Sequence, residues 1–466
     1  MHSRTLFRAS LALAAALAAS GGTPGFAQAP PAPAHTVPVV YDTLPNGLKV
    51  VLSRDTTAPT VVVGVYYQIG FRVEPRNRTG FAHLFEHMMF QGSANLGKME
   101  FIRLVQRNGG ILNGSTRFDF TNYFEVLPAH TLETALWAEA DRMRGLDITQ
   151  DNLTNQQGVV MNEVKVNVLN QPYGGFPWLD LPQYANTNWH NAHNFYGDLK
   201  DLQAATLTDV QDFFRTYYTP ANAVLVVVGD FDEAAARGMV EKYFGAIPSR
   251  KPVAQPDLTE PRQTEQKRFT KKDPLARRPA LAFGYHVPAR NTPEYYAMGL
   301  LDQILLQGED SALHKALVKQ KAYAGDVSGG INLLGSMFNY AGPMLWMGSL
   351  IHEPTSTADD ILATMDAAIR PLQEAPVDQA TLDRALVKLR SSLYDSMTDL
   401  NGFGTADLLA SFAMFDDDPS RINRLEAEFR KVTPALLQKT AQEYLRPTNR
   451  TVLIVEPGQA TPAGQE

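Results

Sequence analysis

His83, Leu84, Phe85, Glu86 and His87 set two imidazoles four residues apart, with a carboxylate three residues after the first. On an α-helix, at about 100° per residue, the three polar side chains share one face. Two imidazoles one turn apart can reach a single cation, and a carboxylate beside them can take up and return a proton. Phe81, Leu84, Phe85, Met88 and Met89 fall on the opposite side, so the helix has one face to bury and one to use. With a carboxylate from elsewhere as third ligand, such a site keeps a position open for water, whose pKa falls to roughly 7 on zinc. The donor types suit zinc, and manganese or cobalt could use them too.

A helix of this kind needs a framework. The chain has 466 residues, 44% hydrophobic and 20% charged, which fits a soluble globular protein of two or more domains. Arg4 and Arg8, the apolar run LALAAALAA and the small-residue stretch GFAQA have the layout of a secretory signal peptide, cleaved after Ala27. The apolar run is too short for a membrane anchor. Losing residues 1–27 removes two arginines and no acids, so the formal charge moves from -7 to -9. Nothing basic suggests a nucleic-acid partner. The absence of cysteine excludes lipoprotein anchoring, disulfides and thiolate ligands, leaving His and carboxylates to hold any metal. An exported, cysteine-free chain fits a bacterial periplasm.

Strand-like runs at LKVVLSR and TVVVGVYYQI precede the HLFEH helix, and ILNGSTRFDFTNYFEVLP reads as a hairpin. Helices follow near 130–146 and 151–170, then VQDFFRTYY, the strand AVLVVVGD and a helix from Asp232 to Phe244. The second half repeats this plan. GVYYQIG leads into LFEHMMFQG in the first half, LAFGYHV leads into LLDQILLQG in the second, and YYTPANAVLVVV matches YLRPTNRTVLIV. Aligning the two QG dipeptides sets Gly299, Asp302 and Gln303 opposite His83, Glu86 and His87. The expected fold class is therefore α+β: two homologous duplicated domains, each a mostly antiparallel β-sheet covered by helices on one side. The boundaries read as a signal peptide over 1–27, a leader over 28–37, a first domain over 38–248, a Pro- and charge-rich linker over 249–272, a second domain over 273–458 and a tail over 459–466.

HLFEH after a strand, followed by NGSTRFDFTNYFEV and GVVMNEVK, resembles the pitrilysin/insulinase family of inverted-motif zinc peptidases, whose short-chain branch includes the mitochondrial processing peptidase. The resemblance covers nearly the whole chain after residue 27. It implies one Zn²⁺ held by His83, His87 and Glu163, with Glu86 activating water. Residue types alone would not select Glu163 over Glu125, Glu133 or Glu139. The resemblance further implies that Asn113, Gly114 and Thr116, which match the family pattern Asn-Ala-x-Thr, form an edge strand that pairs with a peptide substrate.

Two departures from the family pattern change the expectation. Gln156 stands where a second glutamate, seven residues before the ligand, is common, so the groups around the metal carry less charge. In the second half an Arg and a Tyr seven residues later normally engage the substrate; here Val318 and Gly325 hold those positions, and Tyr323 is out of register. The resemblance thus implies a heterodimer with a homologous subunit that supplies the Arg/Tyr pair across a closed chamber admitting unfolded or short peptides. A non-catalytic scaffold and a peptide-binding subunit of the same fold are the alternatives. His190 and His193 in NWHNAHNFYG read as a loop packed by its aromatics, and DDDPS at 416–420 as a solvated turn.

Overall fold

Thr60–Tyr67 reads TVVVGVYY, and after Thr60 it is buried at every position. A strand apolar on both faces must lie inside a sheet that is covered twice. In the computed structural model, which describes residues 36–458, it is the fourth strand of the first sheet. The segments read as signal peptide and tail lie outside the described residues, as does all but the end of the leader.

That first sheet comprises β1 (Val40–Thr43), β2 (Lys49–Arg54), β3 (Thr60–Tyr67), β4 (Ile111–Thr116), β5 (Thr121–Pro128) and β6 (Ala223–Gly229), in the order β1-β2-β6-β3-β5-β4. The second comprises β7 (Lys267–Asp273), β8 (Ala280–His286), β9 (Ser328–Ile331), β10 (Leu345–Ile351) and β11 (Arg450–Pro457), in the order β7-β11-β8-β10-β9. Both are antiparallel apart from one pair, β2 with β6 and β7 with β11. Apart from β1, the strand orders superimpose one for one, which is the duplication expected from the repeated segments.

The segment read as a linker needs a correction at its end. Lys267–Lys272 belongs to β7, whose residues alternate between half-buried and exposed up to the buried Asp273. Its lysines and arginine look like linker composition, but they are the usual blunting of an edge strand.

Period-2 alternation sorts the first sheet into two cores. Leu52, Val61, Val63, Val65, Leu225 and Val227 pack with helices of their own half: α1 (Phe81–Met88), α2 (Glu100–Arg107), α3 (Leu132–Arg144) and α4 (Gln150–Val164). Val51, Val62, Tyr66, Phe124, Val226 and Val228 point the other way and join the core of the second half. What covers them is the end of the helix Gln379–Asp416. Phe403 stacks on Phe124 with ring centroids 3.7 Å apart, and the Tyr66 hydroxyl donates to Asp407 at 3.0 Å. The favour is returned at the second sheet, where Leu181 and Ala185 of the short helix Asp180–Ala185 pack on Ala282, Met347 and Leu453. Each half thus carries its own helices on one face of its sheet and borrows cover for the other.

The helix Gln379–Asp416 reaches across because it is broken. Leu400, Asn401 and Gly402 have φ of 44°, 54° and 100°, so its last section leaves in a new direction. Gly402 meets this left-handed geometry without steric cost.

Candidate metal centre

The helix α1 spans only eight residues and starts at Gly80, whose φ of 81° turns the chain sharply out of the preceding loop. Phe81, Leu84 and Phe85 are fully buried, which fixes its rotation and turns His83, Glu86 and His87 toward α4 and β4. On α4, Thr149 caps the first turn by accepting from the Asn152 N–H, and Glu163 lies in the last turn. The Nε2 atoms of His83 and His87 lie 3.6 and 3.2 Å from the Glu163 carboxylate oxygens. Among the described residues these three are the one group of His, Asp and Glu placed to share an ion, with donor atoms within 4.8 Å of one another.

The other glutamates that residue types left open are elsewhere. Glu125 and Glu139 are buried around Arg142 in the core, and Glu133 is on the surface beside Lys242 and Tyr243.

Electrostatics match a cation site. Burial pushes the His83 imidazole down to about 4, keeping it neutral with its lone pair free. Burial, the largest influence, opposes charge on His87, but the hydrogen bond and charge of Glu163, with Glu86 and Gln156, together outweigh it and raise its pKa. Glu163 is held low despite burial, because it accepts from His87 and lies beside His83. The surroundings of His87 and Glu163 thus favour positive charge between them, and the donor set of two imidazoles and a carboxylate fits zinc.

Glu86 is separate from this set. Its Oε2 accepts from the Thr116 hydroxyl at 2.8 Å, which leaves Oε1 free. Burial raises its pKa, and Thr116, His87 and Arg117 pull it back. Gly114 lies against the same side chain: a Cβ there would stand 3.1 Å from Glu86 Cγ. Asn113 is exposed within the strand, its Oδ1 accepting from the Gly114 N–H at 2.9 Å. All three lie on β4, the outermost strand of its sheet.

Gln156 sits two turns before Glu163 on α4; its amide bonds Asn155 at 2.8 Å and lies beside His87, whose protonated form it favours. In the second half, Val318 packs against the core and Gly325 has open space around its α-carbon. That register offers neither guanidinium nor phenol.

Two contributors escape a reading by residue type. The Tyr196 hydroxyl donates to Glu163 Oε1 at 3.1 Å, and the Phe195 ring packs on His83 with centroids 4.8 Å apart. Both come from the NWHNAHNFYG loop, whose run of aromatics was the available signal. His190 and His193 do not gather into a second metal group; their Nδ1 atoms bond the carbonyls of Arg72 and Trp189. Asp416, Asp417 and Asp418 pair with Arg290, Lys49 and Arg424 respectively.

The equivalent helix of the second half, Pro293–Leu305, has no such site. A Cβ on Gly299 would lie 3.0 Å from Met337 and 3.1 Å from Phe429, and buried Asp302 accepts from Trp346 Nε1 at 2.7 Å. The positions matching His83 and Glu86 are used for packing.

Comparison with known proteins identifies the family that shares this fold. Residues 49–174 match the family described as Insulinase (Peptidase family M16), and residues 204–389 match the Peptidase M16 inactive domain. Zinc protease PqqE of Helicobacter pylori is 27% identical over 421 residues, 89% of this chain and 92% of that protein. The solved structure of a protease from Helicobacter pylori superposes with a TM-score of 0.83 at 26% identity, over 90% of this chain and 100% of the other. The periplasmic protease PqqL from Escherichia coli shares the fold, with a TM-score of 0.72 at 16% identity, and 90% of this chain covers 47% of that one. No helix among the described residues is long and apolar enough to cross a membrane. With its first and second halves matched in turn by the two family models, this chain belongs to the insulinase (M16) family of peptidases.

Proposed function

We propose that this chain is the metal-bearing subunit of a zinc endopeptidase acting on unfolded or short peptides, working in the periplasm with a homologous partner. The observation that carries the reading is the convergence of His83, His87 and Glu163 from two helices, with Glu86 beside them on Thr116. Those three residues would hold one Zn²⁺, which supplies a Lewis acid for the scissile carbonyl and acidifies water. Glu86 accepts the proton of the attacking water at Oε1 and returns it to the leaving amine nitrogen. Its raised pKa suits both halves of that task. A substrate strand adds to the edge of β4, where Asn113, Gly114 and Thr116 align its backbone next to Glu86.

The partner follows from what Val318 and Gly325 leave out: nothing at that register engages the substrate carbonyl. A homologous subunit carrying an Arg/Tyr pair would supply it across a chamber, and the length of PqqL, about twice the matched span, accords with two halves acting together. Val318 and Gly325 also favour the second reading, a non-catalytic scaffold or peptide-binding subunit.

Metal content and cleavage of a quenched fluorescent peptide library separate the two. The chain and its Glu86→Gln variant are each assayed alone and with a co-expressed homologue. About one zinc per chain, with turnover that needs both Glu86 and the partner, supports the peptidase. Turnover unaffected by Glu86→Gln, or no bound zinc, rejects it; full turnover by the single chain rejects the partner.

A further inference from the structure

The two histidines of the NWHNAHNFYG loop have no part in the chemistry above, and Glu74 has none either. Yet Glu74 is a fully buried carboxylate at the start of the metal-binding helix. Its Oε2 accepts from the Gly80 N–H at 2.8 Å and its Oε1 from the Ala82 N–H at 2.6 Å. These are first-turn donors that a helix leaves without internal partners. No side chain at the N-cap serves them, because that residue is Gly80. A Ser or Asp at the cap is the ordinary, inexpensive solution; here an acid six residues upstream is buried to do it.

His193 explains how the acid is tolerated. Its Nε2 lies 3.6 Å from Glu74 Oε2, and its ring is stacked on Trp189 at 4.2 Å and edge-on to Phe71. That Nε2 is buried and has no hydrogen-bond partner closer than Glu74.

The same loop then reaches the metal ligands. A Cβ on Gly80 would sit 2.5 Å from the Tyr196 carbonyl, and one on Gly197 would sit 2.3 Å from the Gly80 nitrogen, so the helix start and the loop are in direct contact. Two residues beyond His193, Phe195 packs on His83, and Tyr196 donates to Glu163. The loop therefore touches the start of α1, one ligand of α1 and the ligand of α4.

We propose that Glu74 and His193 are positioning residues: together they lock the first turn of α1 to the 188–197 loop and thereby fix His83 relative to Glu163. The inference rests on the reading of His83, His87 and Glu163 as the metal site. Neither residue touches the reacting atoms. They set the spacing of the ligands before an ion arrives.

The test compares the full chain with Glu74→Gln, which keeps the shape but can accept through only one oxygen, and with His193→Phe, which keeps the stack on Trp189. Two readouts are taken: hydrogen exchange of the 80–90 segment in metal-free protein, and zinc affinity by chelator competition, with the absorption bands of Co²⁺-loaded protein reporting ligand geometry. Both variants are expected to exchange about tenfold faster in 80–90, with β3 and β6 unchanged. Zinc affinity should fall by about ten- to a hundredfold with shifted Co²⁺ bands, the range typical of groups that support metal ligands. Unchanged exchange and affinity in either folded variant would overturn the proposal. Should Glu74→Gln fail to fold, His193→Phe decides alone. If the unaltered chain binds no zinc, the metal-site reading fails, while the exchange arm still decides whether the pair locks α1.

Discussion

The two halves share one strand order and place a helix at the equivalent point, after β3 in the first half and after β8 in the second. In the first half that helix is short, and it turns three polar side chains toward α4 and an open sheet edge. In the second it is five residues longer, and Gly299 and Asp302 fall where His83 and Glu86 would be. The frame is the same, so the frame does not make the site. What separates the halves is whether the polar face of one helix meets a carboxylate from another element or meets Met337 and Phe429.

If that is the real distinction, changing Glu86 should matter far more than changing its counterpart. Glu86→Gln is expected to lower peptide turnover by about 10²- to 10⁴-fold, the usual worth of a general base, with zinc content and melting temperature unchanged. Steady-state cleavage beside metal analysis reads this directly. Equal losses in Asp302→Asn would erase the contrast between the halves.

Tyr196→Phe keeps the ring and removes the hydroxyl that donates to Glu163. Zinc affinity should drop by about tenfold, measured by chelator competition, while thermal stability moves by about 1 kcal/mol or less.

In the second half the acid is a burden on stability. Burial lifts Asp302 to about 6 from an ordinary 3.8, although Trp346 and Gln307 donate to it. The folded state therefore prefers the neutral acid, and stability is lost as pH rises from about 4 through 6. Asp302→Asn cannot ionise and can still accept from Trp346. It should be about 1–3 kcal/mol more stable than the parent at pH 8 and gain nothing below pH 4, as read from denaturant midpoints across pH. A gain that persists at pH 3.5 would point to packing rather than charge.

The smallest change concerns β4. Gly114→Ala, which restores the residue usual in this family, places a methyl 3.1 Å from Glu86 Cγ and 3.3 Å from the Tyr123 ring. Turnover should fall by only about two- to threefold, with KM unmoved, because a shift of a few tenths of an ångström relieves the contact.

What the sequence disclosed follows from how local each signal is. HLFEH was legible because its three polar groups share a single helical turn, and β3 because an unbroken apolar run has few other uses. The repeat was visible because matched segments recur in the same order. Glu163 was not legible from residue types: it lies 76 positions beyond His87, and only a helix packed across α1 distinguishes it from Glu125 or Glu139. The family resemblance supplied it. The run of aromatics in the 188–197 segment implies a loop packed by its own rings, as Trp189 on His193 shows, but that Phe195 lies on His83 is a tertiary fact. Strand β7 was hidden by its own lysines.

The exchanged cover between the halves bears on how the protein is made. The first sheet is complete once Gly229 has been synthesised, but the face bearing Val62, Phe124 and Val226 has no lid until residues 403–416 exist. Until that segment docks, the face is an apolar surface without cover. A chain ending before Phe403 is expected to aggregate rather than act as a smaller working protein, so docking of the C-terminal end of this helix becomes a condition of solubility.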